Sequence, residues 1–184
     1  MKRKRSLTVT LVLCAVAAAA GAVVLAAKSS GPREIHPVFT EVKWPFLMDQ
    51  WGLGHAYRCA AEDCGTQVDV YLRPKIGFCN CATGVSDDEE LERVADVDLF
   101  GPKFSAPGPG REIAVAWMKG RSRPYDVAGR PNGSTLAVAF NDRCDVIVAT
   151  AVVPSGPVVQ VEPAVLAFLN SDTVIRWAEK ALGL

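Results

Sequence analysis

TLAVAFNDRCDVIVATAVV, residues 135–153, decides the fold. Residues 135–140 and 144–153 are dominated by β-branched and small apolar side chains, and the polar trio Asn141, Asp142 and Arg143 separates them. That pattern predicts two antiparallel strands joined as a hairpin. The second strand is apolar over most of its length, so it belongs at the centre of a sheet or under cover on both faces.

Working outward, residues 66–72 read TQVDVYL and alternate, with Val68, Val70 and Leu72 on one face and Gln67, Asp69 and Tyr71 on the other. This is the period of a half-buried strand. HAYRCA, residues 55–60, reads as a short strand ahead of it, and Pro74 and Gly77 interrupt after it. EIAVAWM, residues 112–118, predicts another strand, and residues 119–133, KGRSRPYDVAGRPNG, read as a polar loop.

Two helical regions frame this pattern. Ser86 as cap and Glu89 three residues later predict a middle helix whose stripe is Leu91, Val94 and Ala95. The run Asp87, Asp88, Glu89 and Glu90 suits the positive end of a helix dipole and lacks the alternating ligand spacing of a calcium loop. At the C-terminus, residues 164–169 have helical character. Ser171 is placed to cap a last helix that turns Val174, Ile175, Trp177, Ala178 and Ala181 inward and stops at Gly183. The fold class expected is α+β, a mainly antiparallel sheet with a middle helix and a C-terminal helix in two layers.

The N-terminus sets the compartment. Residues 2–5 are all basic, and residues 6–27 carry no charge. About 20 apolar residues cross a bilayer core, so residues 1–27 read as a signal peptide or a transmembrane anchor with the remainder outside the cytoplasm. Cys14 reads as an ordinary residue of that segment. Residues 28–40, which hold His36, read as a spacer, and residues 41–184 as a single exported domain. The expected location is periplasmic, or anchored to the inner membrane with the C-terminal domain outside. The chain as a whole has a net charge of zero, but its first 27 residues hold four of the 20 basic groups and none of the 20 acidic ones, leaving −4 on the rest. A mildly acidic domain argues against nucleic acid as a partner.

Five cysteines follow the apolar segment: Cys59, Cys64, Cys79, Cys81 and Cys144. Outside the cytosol they are expected to form structural disulfides. Local spacing favours cross-links from Cys59 and Cys64 to Cys79 and Cys81, with Cys144 buried and free or linked between molecules. The rival assignment gathers the sulfurs of Cys59, Cys64, Cys79 and Cys81 around copper or zinc, although their spacing lacks paired C-x2-C arms. Disulfide exchange by Cys79 or Cys81 is a third possibility, without the C-x-x-C that usually serves it.

Catalytic signals are weak. His36 and His55 are the two histidines, and the common nucleophile, phosphate-loop and metalloprotease motifs are missing. No cofactor is predicted beyond the copper or zinc alternative. Lys119, Arg121, Arg123, Tyr125 and Arg130 are the candidate partner contacts, while the apolar cluster of Trp44, Phe46, Leu47, Met48, Trp51 and Leu53 reads as core packing. The functional expectation is a noncatalytic envelope accessory or protein-interaction module, disulfide-stabilised, with an envelope protein as partner and the membrane as a second contact if residues 6–27 are retained. The alternative is a thiol-based copper- or zinc-binding or disulfide-exchange protein.

Overall fold

The computed structural model describes residues 37–129 and 133–184. The candidate membrane segment, most of the spacer, His36 and Arg130 lie outside the described residues. Within them, no helix is long and apolar enough to cross a membrane.

The sheet is built from β1 (Phe39–Val42), β2 (His55–Cys59), β3 (Val68–Lys75), β4 (Phe104–Ser105), β5 (Arg111–Val115), β6 (Met118–Val127), β7 (Ser134–Asp142) and β8 (Asp145–Val153). Its order is β1-β2-β3-β8-β7-β6-β4, with β5 also paired to β6, and every pairing is antiparallel. Among the described residues four α-helices accompany it: α1 (Ala61–Cys64), α2 (Asp88–Val94), α3 (Glu162–Leu169) and α4 (Asp172–Leu182). The class is the expected α+β.

The β7–β8 hairpin forms as its sequence predicts, but its turn is tighter. Asp142 pairs with Asp145, so only Arg143 and Cys144 lie between the strands, and Arg143 takes a left-handed φ of 52°. All of β8 from Val146 to Val153 is buried, because β3 and β7 flank it and both faces are covered.

Alternation sorts each central strand between two cores. Val70, Leu72, Leu136, Val138, Phe140, Ile147 and Ala149 meet Val165, Leu169, Val174 and Ala178 of α3 and α4 on one face. On the other, Ala137, Ala139, Val146 and Val148 meet Leu91 and Val94 of α2, together with Val97. The sheet therefore lies between helices on both sides, in three layers where two were expected. Ser171 caps α4 by accepting from Val174 N, and Gly183 ends it in the left-handed conformation at φ 73°, both as the sequence indicates.

Four boundaries depart from expectation. Phe39 and Thr40, assigned to the spacer, belong to β1, where Phe39 stacks on Phe168 with ring centroids 4.3 Å apart. β3 continues through Pro74 to Lys75, and this is tolerated because β2 pairs with β3 no further than Leu72, leaving one edge free at the proline. The middle helix is capped by Asp87, which accepts from Glu90 N at 2.8 Å, rather than by Ser86. Most of the expected loop 119–133 is the ten-residue strand β6. Its arginines made it read as a loop, yet their charges are met by acidic groups within the fold.

Candidate interaction site

Residues 43–54 link β1 to β2 as a strap packed against β3. Trp44 and Phe46 set their rings edge-on to Tyr71, and Phe46 also meets Phe100. Further along, Asp49 accepts two hydrogen bonds from Arg73 Nη1 at 2.8 and 2.7 Å, and Trp51 packs against Phe78 at 4.5 Å. The aromatic members of the cluster pack as expected, but Leu47, Met48 and Leu53, also expected to pack, are 92, 73 and 60% exposed.

Beneath the strap lies a cleft of about 470 Å³ whose lining includes Asp49, Trp51, Arg73, Lys75, Phe78 and Asp96. Arg73 and Lys75 stand on the same face of β3 and are buried, which for a cation requires partners. Arg73 donates to both Asp96 oxygens at 2.6 and 2.7 Å, and Lys75 reaches Asp96 Oδ1 at 2.8 Å and the Val94 carbonyl at 2.6 Å. Desolvation opposes the Arg73 charge, but its hydrogen bonds to Asp96 and Asp49 prevail and raise its pKa. At Asp49 the cost of partial burial is likewise outweighed, by hydrogen bonds from Arg73 and the Trp51 backbone, which hold the carboxyl below its ordinary range. The cleft is an ionic lock between strap and sheet, with its central charges already neutralised by one another.

A different geometry occurs at the far end of β5. Val115 pairs with Met118, so Ala116 and Trp117 form a two-residue turn. Ala116 has φ of 51°, the left-handed region that costs a residue with a Cβ about 1–2 kcal/mol. The turn is held by Asn170 at the end of α3: its Oδ1 accepts from Ala116 N at 2.8 Å, and its Nδ2 donates to the Ala114 and Leu166 carbonyls at 3.4 and 2.9 Å. Trp117, carried on this fixed turn, is 52% exposed. Lys119 beside it is exposed, and with Glu112, Ile113, Val85 and Asn141 it lines a groove of about 530 Å³. Trp117 is thus half-exposed on a turn held by Asn170, two residues before the Lys119 that lines the groove.

The other candidate contacts are placed differently. Arg121 pairs with Asp88 and donates to the Gly110 carbonyl, while Arg123 donates to the Gly108 carbonyl at 2.9 Å and to Glu92 at 3.4 Å. Backbone donation from Gly110 leads the interactions that hold the Asp88 carboxyl below its ordinary range. Tyr125 is 1% exposed and edge-on to Phe104. Lys119 is thus the described member of the set that faces solvent freely. The sequence signal for Trp117 was available in its two-residue separation from Lys119, but the alternation of residues 112–118 absorbed it into a strand.

The cysteine pairing also differs. Cys59 bonds Cys64 and Cys81 bonds Cys144, while Cys79 is free and buried. The short helix α1 returns Cys64 to Cys59, closing the first bond locally. The β7–β8 turn brings Cys144 to residues 77–81, where Cys79 N donates to the Cys144 carbonyl at 3.1 Å. That pairing leaves the Cys79 side chain to donate to the Arg143 carbonyl at 3.2 Å. Burial pushes the Cys79 thiol up to about 11, away from the thiolate form needed for exchange. The four sulfurs of the copper or zinc alternative are divided between two bonds and a buried thiol. Among the described residues, no group of three or more His, Cys, Asp or Glu side chains is arranged to hold a metal. His55 lies at the start of β2 and pairs through Nδ1 with Glu41 at 2.8 Å, an exposed contact at the sheet edge.

Neither protein-family models nor curated proteins match the chain. Fold and bonds together define a disulfide-stabilised α+β domain, and its two disulfides are consistent with an oxidising environment outside the cytoplasm.

Proposed function

We propose that the chain is a noncatalytic envelope accessory module, exported by residues 1–27, that docks on a protein partner through Trp117 and the adjoining groove. The observation that carries this is the presentation of Trp117: Asn170 stabilises a left-handed Ala116 and so fixes an exposed aromatic at a hairpin tip. Left-handed non-glycine residues persist where surrounding contacts enforce them, and they cluster at binding sites. Lys119 on one side and Glu112 on the other give the groove both signs of charge, suited to a polar rim around an aromatic anchor.

In the same proposal the domain occupies the periplasmic side of the inner membrane, with residues 6–27 as its anchor and the following residues as a short tether. Affinity purification of the full chain from native membranes tests the docking face. A specific partner protein should be recovered with the wild type and reduced at least tenfold with Trp117→Ala, while Lys119→Glu should weaken recovery less. Undiminished recovery with Trp117→Ala, in a variant whose melting temperature is unchanged, would remove Trp117 from the interface.

A further inference from the structure

We infer that the strap lies on the outer surface of the lipid bilayer, with Leu47, Met48 and Leu53 inserted at the interface. This rests on the retained membrane segment proposed above. Four of the eight large hydrophobic residues exposed on the described domain, Val38, Leu47, Met48 and Leu53, fall between residues 38 and 53. They occupy the part of the domain that follows most closely on the tether. Residues 28–36 separate the uncharged run from the first described residue, and nine residues at about 3.3 Å each reach no more than about 30 Å. With residues 6–27 in a bilayer, that length limits the first described residue to within about 30 Å of the lipid.

The strap is chemically fitted to that position. Trp44 and Phe46 pack on Tyr71 and leave Leu47 and Met48 exposed, with Leu53, also exposed, beyond the Asp49–Gly52 bridge. Trp51, partly buried, and exposed Lys43 bracket Leu47 and Met48 in sequence with side chains that suit the polar boundary of a bilayer. Asp49, the one carboxylate of the strap, is paired with Arg73. Its charge is therefore neutralised within the fold, which lowers the cost of bringing the strap to lipid. The ionic lock also fixes the strap before it meets the surface, so little further ordering is needed.

The test uses the full chain with Trp117→Phe and Trp177→Phe, leaving Trp44 and Trp51 as fluorophores, reconstituted in phosphatidylethanolamine–phosphatidylglycerol vesicles. Acyl chains brominated near the headgroup should reduce tryptophan emission about twofold relative to unbrominated vesicles, and Leu47→Ser, Met48→Ser and Leu53→Ser together should abolish most of that quenching. Flotation after an alkaline wash reports the anchor separately. A chain that does not float overturns the anchor and the strap contact together; one that floats without quenching overturns the strap contact alone. A strap covered by a second copy of the chain would give the latter result, and quenching unchanged by the triple substitution would also overturn the contact of Leu47, Met48 and Leu53.

Discussion

Asn170, the C-cap of α3, accepts a hydrogen bond at 2.8 Å from the backbone of Ala116, 54 positions earlier in the chain. The bond joins α3 to the β5–β6 turn and makes the orientation of Trp117 a consequence of core packing. Asn170→Ala should lower stability by about 1–2 kcal/mol and weaken partner recovery without touching Trp117. Thermal melts and affinity purification of the same variant check both effects.

Ala116→Gly separates rigidity from stability. Glycine removes a left-handed penalty of about 1–2 kcal/mol and restores about 0.5–1 kcal/mol of unfolded-state freedom, so the variant should be as stable as the wild type or up to about 1.5 kcal/mol more so. It should nevertheless bind its partner less well, because the tip loosens. Ala116→Val should destabilise. Urea titration ranks the three proteins.

Of the charges of β3, Asp69 was legible on the polar face, whereas Arg73 and Lys75 fell beyond the strand that the alternation marked. Alternation placed Asp69 and Tyr71 opposite Val68, Val70 and Leu72, and that division holds. The partners of Arg73 lie 24 residues before it and 23 after it in sequence, at Asp49 and Asp96, and no local pattern announces such a pairing. The same distance hid the role of Arg121 and Arg123, whose acidic partners come from α2. Hydrophobic periodicity identified β7, β8 and α4 because their apolar faces are continuous in sequence. It missed β6 because that strand sets arginines on a face where α2 supplies acids.

Removing Arg73 should therefore be costly. Arg73→Ala leaves Asp96 buried without its principal partner and is expected to destabilise by about 3–5 kcal/mol. Asp49→Asn, at a carboxylate whose side chain is 39% exposed, should cost less than about 1 kcal/mol. Denaturant midpoints of the two variants should differ accordingly.

Acid should weaken the fold through Asp49 and Asp88. Both carboxyls bind protons less readily in the folded chain than at their ordinary value of 3.8. Their contribution is thus complete above that value and is lost as pH falls through the lower folded ones. Stability should be flat from neutral pH to about 5 and should decline below about 4. Asp49→Asn should make the decline shallower, as urea midpoints at successive pH values would show.

The two disulfides should contribute unequally. Cys81 and Cys144 are 63 positions apart, whereas Cys59 and Cys64 are 5 apart. Loop-closure entropy then assigns about 4 kcal/mol to the first and about 2 to the second. Paired alanine substitutions should lower the melting temperature about twice as far for Cys81 and Cys144.

Peptide mapping of the chain from the native envelope, alkylated under nonreducing conditions before and after unfolding, tests most directly that the cysteines serve the fold of an exported module. Cys59–Cys64 and Cys81–Cys144 should be recovered as bonded peptides, with Cys79 alkylated only after unfolding. A Cys79 that reacts in the native protein at neutral pH, or cysteines recovered reduced with bound copper or zinc, would contradict that role and favour thiol chemistry.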